Sequence, residues 1–192
     1  MEFDKLDLRN YIKVYDGFLD PPMCSFALAD LENRADWSAH QFYNPQTGDL
    51  YSTENELDVS YTDIPIRQII NDRLWHALER YILHDFKDFS WWGKWNGYAP
   101  IRFNRYTENS NMKMHCDHIH SLFDGNRKGV PVLTMVGLLN DDFDGGEFIM
   151  WEDELIPMSA GSLVIFPSNF LYPHRVNPVT YGTRYSFVTW SW

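Results

Sequence analysis

The sequence predicts an α+β protein, with helices and strands in its first half and a β-sandwich or small barrel in its second half. Two amphipathic helical patterns precede residue 85, and from Tyr98 onward short apolar segments alternate with turn signals such as Asp144-Gly145-Gly146. Many short strands at this spacing are typical of sandwiches and small barrels. We expect one domain over residues 1–192, in which residues 1–97 support a core formed by residues 98–192.

The first half is predicted to begin with a short strand over residues 11–18. A helix follows Asp20, because Asp is a good N-cap and the two prolines after it are tolerated in a first turn. Extended segments are predicted over residues 37–62. A second helix begins near Asp63, and its apolar positions recur every three or four residues as far as Ile82. That stripe predicts a helix lying on a core, most simply on the face of a sheet.

The second half is predicted to consist of strands. They are placed at residues 100–106, 112–118, 131–139, 146–151, 162–166, 170–177 and 183–191. In the last segment Arg184, Ser186 and Trp190 share one face, because side chains alternate along a strand.

Charge and composition argue against several classes of function. The 192 residues include 27 acidic and 16 basic groups, for a net charge of −11. Neither half is basic, which argues against general binding to nucleic acid or anionic membranes. The apolar run from Val130 to Leu139 is interrupted and far shorter than the ~20 residues of a membrane helix. With two cysteines and an acidic amino terminus, we expect a cytoplasmic protein.

One segment concentrates residues that bind metals. In residues 112–120, His115 and Asp117 would point to the same side of a strand. His174 lies on a later predicted strand, and a sandwich can bring two distant strands together. Two histidines and one carboxylate with open coordination positions form the facial triad of non-haem Fe(II) oxygenases.

Further short motifs occur in a fixed order around these residues. They are Arg105-Tyr106, His115-x-Asp117, residues 138–141 (LLND), Gly145-Gly146-Glu147, residues 161–167 (GSLVIFP), His174, Arg184-Tyr185-Ser186 and Trp190. With them the chain resembles 2-oxoglutarate/Fe(II)-dependent dioxygenases of the prolyl 4-hydroxylase type, strongly over 98–192 and in pattern only over 11–83. The resemblance implies a double-stranded β-helix (jelly-roll) core with supporting N-terminal helices packed on one sheet.

The resemblance also implies roles for individual residues. His115, Asp117 and His174 would bind Fe(II) and form the catalytic centre. Arg184 would pair with the far carboxylate of 2-oxoglutarate, because a guanidinium fork matches a carboxylate. The remaining implied cosubstrate and pocket residues are Tyr106, whose hydroxyl would donate to the same carboxylate, Ser186, which would assist, and Trp190, which would wall the pocket.

The implied activity is hydroxylation of a C–H bond, most simply of prolyl residues in a peptide or protein. Its cofactors would be Fe(II), 2-oxoglutarate and O2, with ascorbate as a further reductant, and succinate and CO2 as co-products. The open alternatives are a free amino acid or other small molecule, another side chain, or a methylated base, and a non-catalytic jelly-roll binding module. No nucleic acid or membrane partner is expected, because no basic stripe accompanies the fold.

The chain departs from the family pattern at Asn109, Met112 and Phe148, where a Gly, an aromatic residue and a Thr are usual. These departures leave the substrate open. Three further groups of residues have two interpretations each. His118 and His120 either start a loop or act as cupin-type ligands, and Arg127 and Lys128 in loop 121–130 either contact substrate or are solvated charges. The aromatic residues Trp91, Trp92, Trp95 and Tyr98 form either a peptide-binding wall or part of the core.

Overall fold

Two α-helices of the computed structural model lie in the first half of the chain. The structure describes residues 4–44, 46–89, 95–117 and 130–192. A 3-10 helix (Leu8–Tyr11) precedes α1 (Pro21–Glu32) and α2 (Ile66–Glu79), and a π-helical segment (Arg80–Asp85) continues α2. Within the described ranges, no helix has the length and apolar character needed to cross a membrane.

Strands make up most of the remaining regular structure. Those of the first half are β1 (Lys13–Tyr15), β2 (Ser38–Ala39), β3 (Phe42–Tyr43), β4 (Leu50–Tyr51) and β5 (Asp58–Ser60). Those of the second half are β6 (Arg102–Tyr106), β7 (Met112–His115), β8 (Leu133–Leu138), β9 (Asp144–Gly145), β10 (Phe148–Met150), β11 (Glu154–Leu155), β12 (Leu163–Pro167), β13 (His174–Val176), β14 (Val179–Tyr181) and β15 (Arg184–Ser191).

The α+β prediction is confirmed, with differences in detail. Each predicted strand of the second half overlaps an observed strand, and the segment predicted over 37–62 contains four. The strand predicted over 11–18 is shorter, because Tyr11 belongs to the 3-10 helix. The two-residue strands β9 and β11, and β14, are not predicted, since elements this short have no periodicity to read.

The strands form two main antiparallel sheets. The larger sheet has the order β1-β12-β8-β15-β6-β5-β2, and the smaller has the order β11-β10-β13-β7. Strand β15 lies inside the larger sheet and pairs with β6 on one side and β8 on the other. It is buried along its whole length, so both of its faces contact packed side chains.

The two faces of the larger sheet have different partners. One face packs against the helices, in a cluster that includes Ala27, Leu31, Ile70, Leu74, Phe103 and Phe187. The other face packs against the smaller sheet, in a cluster that includes Tyr106, Phe148, Val176, Val188 and Trp190. The space between the two sheets therefore receives the inward side chains of β6, β7, β13 and β15.

The helices follow their sequence signals closely. The Asp20 carboxylate accepts a hydrogen bond from the Met23 amide at 2.9 Å, which caps α1 as predicted. Along α2, Ile66, Ile70 and Leu74 are buried. The three- and four-residue spacing also predicts Ile69 in the apolar stripe, but Ile69 is 38% exposed, so that part of the prediction is wrong. The sheet covers the row spaced by four residues, and Ile69 lies at the edge of that row.

Candidate metal centre

Two histidines and one aspartate meet where β7 pairs with β13. His115 and His174 are directly opposite each other in the antiparallel register, and Asp117 lies two residues beyond the first histidine. One ligand atom from each residue lies within 4.8 Å of the other two. His115 Nε2 is 3.5 Å from Asp117 Oδ1, and His174 Nε2 is 3.7 Å from Asp117 Oδ2. Two imidazoles and one carboxylate at this spacing can hold one metal ion and leave positions open.

Hydrogen bonds orient both imidazole rings for coordination. His115 Nδ1 lies 2.8 Å from the Lys113 carbonyl oxygen, and His174 Nδ1 lies 3.1 Å from the Tyr172 carbonyl oxygen. A ring nitrogen beside a carbonyl oxygen carries the proton and donates it, which leaves the Nε2 lone pair for a metal. The Phe166 ring packs edge-on against His174 at 5.0 Å and limits its rotation.

The protonation states of His174 and Asp117 also favour metal binding. Burial lowers the pKa of His174, and the charge of Asp117 offsets part of that effect. Burial alone would raise the pKa of Asp117, but the imidazoles of His174 and His115 and the hydroxyl of Thr134 bring it below its usual range. A neutral imidazole and a charged carboxylate are the forms that bind metal ions.

Two buried hydroxyls support the carboxylate from behind. The Thr134 hydroxyl, at the start of β8, donates to Asp117 Oδ2 at 2.6 Å and lies 2.6 Å from the Ser168 hydroxyl. Thr134 is fully buried and Ser168 is 7% exposed. Neither residue is predicted from the sequence, because the contacts join segments 17 and 34 residues apart and no local motif marks them. They hold one orientation of the carboxylate.

Arg184 lies at the inner end of the same pocket. It is 2% exposed, its Nη1 donates to the Ser186 hydroxyl at 2.9 Å, and its Nε has no hydrogen-bond partner among the described residues. Burial lowers the pKa of Arg184, and the described part of the chain offers it no carboxylate. A buried charge without a counter-ion costs several kcal/mol. A carboxylate ligand would remove that cost, so this guanidinium fits the far end of 2-oxoglutarate.

The other predicted pocket residues lie around Arg184. Tyr106 is directly opposite Arg184 in the β6–β15 register, and the guanidinium carbon is 5.0 Å from its ring centroid. Burial raises the pKa of Tyr106, so its phenol stays protonated and can donate. Ser186 is fully buried and accepts from Arg184. Trp190 is 5% exposed, and no described residue accepts a hydrogen bond from its indole N–H.

The pocket also contains residues that are not predicted from the sequence. Arg102 and Asn104 line it together with Tyr106, the metal cluster and Trp190. Strand alternation could have identified them, because they lie four and two positions before Tyr106, respectively, on the same face of β6. Their inward orientation depends on which face of β6 meets the smaller sheet, and Tyr106 alone indicates that face.

Some motif residues shape the site without entering it. The Asn140 side chain accepts from the Tyr185 amide at 2.7 Å and donates to the Thr183 carbonyl oxygen at 2.7 Å, which ties the end of β8 to the start of β15. Gly146 has a φ of +65°, and a Cβ there would lie 3.0 Å from Arg184 Cδ. Asn109 adopts a φ of +66°, in the left-handed region that glycine and asparagine enter most readily.

Several residues with two interpretations can be assigned only in part. His118, His120, Arg127, Lys128, Trp91, Trp92 and residues 121–129 lie outside the described residues. Trp95 packs against Trp75, with ring centroids 5.0 Å apart, beside the helix-side core. The Tyr98 hydroxyl donates to the Asn71 carbonyl oxygen of α2 at 2.7 Å. Both residues therefore contribute to the core and not to the pocket.

Similarity to known proteins is strongest over the second half of the chain. Residues 101–192 match the family model of the 2OG-Fe(II) oxygenase superfamily. The PKHD-type hydroxylase PiuC of Pseudomonas aeruginosa is 34% identical in an alignment over 98 residues that covers 48% of this chain and 42% of that protein. The match thus spans about two fifths of the curated relative.

Similarity to solved structures extends over almost the whole chain. A Pseudomonas putida prolyl-4-hydroxylase superposes with a TM-score of 0.63 at 19% identity, covering 94% of this chain and 91% of that one. A prolyl hydroxylase from Trichoplax adhaerens, solved with a hypoxia inducible factor peptide fragment, superposes with a TM-score of 0.68 at 18% identity, covering 95% and 84%. At these identities the superpositions establish a shared fold.

The match by sequence and the match by fold converge on one group of proteins. The matched segment contains the cluster of His115, Asp117 and His174 as well as Tyr106 and Arg184. Residues 101–192 are therefore similar to the 2OG-Fe(II) oxygenase superfamily, and the resemblance to dioxygenases of the prolyl 4-hydroxylase type is confirmed.

Proposed function

We propose that this protein is an Fe(II)- and 2-oxoglutarate-dependent oxygenase that hydroxylates prolyl residues of a peptide or protein. The observation that carries the proposal is one pocket holding a metal-ready His-Asp-His cluster and a buried arginine without a counter-ion. The fold shared with prolyl hydroxylases, one of them solved with a peptide, supports the substrate class. The two facing sheets support a double-stranded β-helix core.

Different residues of the pocket would hold Fe(II) and 2-oxoglutarate. His115, Asp117 and His174 would hold Fe(II) through two Nε2 atoms and a carboxylate oxygen. Arg184 would bind the far carboxylate of 2-oxoglutarate, with Ser186 holding its Nη1 in place. Bound Fe(II) supplies the redox chemistry that couples O2 reduction and oxidation of 2-oxoglutarate to succinate and CO2 with substrate hydroxylation.

The surrounding residues would position and protect this chemistry. Tyr106 stays a neutral phenol and can donate to the carboxylate beside Arg184. Phe148 and Phe166 pack around His174 and exclude water from one side of the cluster. The helices share a core with the larger sheet, which supports treating residues 1–192 as a single domain.

A metal-binding experiment tests the proposal directly. Anaerobic addition of Fe(II) and 2-oxoglutarate to the protein should produce a weak visible charge-transfer band. His174→Ala should lose that band, because it removes a ligand, whereas His76→Ala should keep it, because His76 is an exposed residue of α2. No band in the natural protein, or an unchanged band in His174→Ala, would contradict the proposed site.

The substrate is tested separately. Incubation with a peptide library, Fe(II), 2-oxoglutarate and O2 should add one oxygen to proline-containing peptides, read by mass spectrometry. Succinate release with oxygen added only to non-prolyl residues, or to a free amino acid, would retain the oxygenase and reject the prolyl substrate.

The hydroxyl pair behind Asp117 leads to a quantitative prediction. Thr134→Val keeps the side-chain shape but removes the 2.6 Å hydrogen bond to Asp117, so Fe(II) affinity should fall by about 10- to 100-fold. Thr134→Ser retains the hydroxyl and should bind Fe(II) within about threefold of the natural protein. Anaerobic Fe(II) titration in the presence of saturating 2-oxoglutarate measures both. Equal affinities for the Val and Ser variants would show that the hydrogen bond does not orient the carboxylate.

A further inference from the structure

A second arginine lies in the pocket at the opposite end of β6 from Tyr106. Arg102 pairs with Val188 across the β6–β15 register, as Tyr106 pairs with Arg184. Four residues separate the two β6 positions, so their Cα atoms are about 13 Å apart along the strand. Because residues paired across two strands share a face, Arg102 and Arg184 both lie on the face of the larger sheet that packs against the smaller sheet. Both also line the pocket that contains the metal cluster.

The Arg102 guanidinium is held in place by contacts to Asn104 and Trp190, but not all of its N–H groups have hydrogen-bond acceptors among the described residues. Its Nε donates to the Asn104 side chain at 3.0 Å, and its central carbon lies 5.2 Å from the centroid of the Trp190 ring. Among the described residues, nothing accepts a hydrogen bond from Nη1 or Nη2. A guanidinium fixed through Nε and stacked on an indole presents its two Nη groups as a ready fork for a carboxylate.

Among the described residues, no acidic side chain accepts a hydrogen bond from this arginine. The buried Glu56 carboxylate accepts from His40 Nδ1 at 3.2 Å and from the Thr53 hydroxyl at 2.7 Å. Asp117 is engaged by Thr134 and the two histidines. Both carboxylates therefore have other hydrogen-bond partners, and the two Nη groups of Arg102 are available to a carboxylate ligand.

We propose that Arg102, stacked on Trp190, binds a carboxylate of the substrate next to the C–H bond that is hydroxylated. The proposal rests on the Fe(II)- and 2-oxoglutarate-dependent oxygenase activity of the proposed function, and it specifies that the substrate is anionic. A protein of net charge −11 repels acidic ligands at long range, so a local cation is needed to select one. Two sources fit the same chemistry: an Asp or Glu side chain of a peptide, or the α-carboxylate of a free amino acid.

Binding without turnover tests the inference. The anaerobic complex with Fe(II) and 2-oxoglutarate is titrated with three labelled peptides of equal length, each with a central proline flanked by glutamate, glutamine or lysine. In a second arm, the same complex is titrated with L-proline or L-prolinamide, and binding is measured by calorimetry. The glutamate peptide should bind at least about tenfold more tightly than the glutamine peptide, or L-proline at least about tenfold more tightly than its amide. The arm that shows the preference identifies the source of the carboxylate.

Variants of β6 separate this role from general charge effects. Arg102→Gln should abolish the preference, and Arg102→Lys, which keeps the charge without the fork, should retain part of it. Arg105→Gln is the matched control: it removes a charge from the opposite face of β6, where Arg105 pairs with Asp58 at 2.7 Å, and should keep the full preference. Circular dichroism checks that each variant is folded.

The outcomes distinguish failure of the inference from failure of the proposed function. Absence of the charge-transfer band in the natural protein would overturn the proposed function and this inference with it. With the band present, the inference is overturned by equal binding of the glutamate and glutamine peptides and of L-proline and its amide, by no binding of any probe, or by a preference that survives in Arg102→Gln. A weakened 2-oxoglutarate titration in Arg102→Gln would likewise overturn it, because Arg102 would then serve the cosubstrate.

Discussion

Replacing Arg184 with methionine should weaken 2-oxoglutarate binding by about 100-fold or more, because the variant loses a buried, charge-assisted contact to a carboxylate. The same change should leave the ligand-free protein at least as stable. Arg184 is almost fully buried, its Nε has no partner, and the described residues give it no counter-ion. An apolar side chain of similar volume removes that desolvation cost.

Two measurements on the same variant check this prediction. Titration of the charge-transfer band gives the affinity for 2-oxoglutarate, and calorimetry without Fe(II) or 2-oxoglutarate gives the melting temperature. Arg105→Met, on the outer face of β6, is the control and should bind 2-oxoglutarate normally. A large loss of melting temperature with unchanged 2-oxoglutarate affinity would show that Arg184 has a structural role only.

Gly137→Ala should destabilise the protein by about 2–3 kcal/mol, because an added Cβ would overlap the Phe187 ring. Gly137 in β8 is directly opposite Phe187 in β15, in the middle of the larger sheet. The other described glycines have a positive φ, and Gly137 does not. The destabilisation expected for Gly137→Ala is therefore due to side-chain packing and not to backbone strain. The expected fall in melting temperature is about 4–12 °C for a protein of this size.

A double-mutant cycle tests the cause. If the Phe187 ring is the obstacle, Phe187→Leu should relieve part of the strain, and the double variant should be more stable than the sum of the two single effects predicts. We expect a coupling of about 1 kcal/mol or more, measured by urea unfolding. Additive effects would place the strain of Gly137→Ala elsewhere in the sheet.

The predictable part of the fold was the part with local signals. Asp20 and the prolines after it define the start of α1, and regular apolar spacing defines α2. Alternation along residues 184–191 separated the residues that face the smaller sheet from Tyr185 and Phe187, which face the helices. Ile69 was predicted to be buried and is exposed, because the apolar stripe of α2 is wider than the surface that covers it.

The identity of the site residues came from short motifs, but their arrangement did not. His115 and Asp117 were visible as a pair on one side of a strand, and His174 could be added only as a candidate from a distant strand. The pairing of β7 with β13 is what brings His174 opposite His115. Thr134 and Ser168 had no sequence signal, because a hydroxyl that supports a carboxylate from another strand leaves no local pattern.

By itself, the sequence determined the α+β class, the order of most elements and the residue types that can hold a metal and a dianionic cosubstrate. Each of these depends on local periodicity or on the chemistry of a side chain, and both are written along the chain. The tertiary structure alone decided that Thr134 supports Asp117, that Arg184 is buried without a counter-ion, and that Arg102 shares its pocket. Burial and contacts between distant strands depend on how the sheets pair and pack, and no local stretch of sequence encodes that.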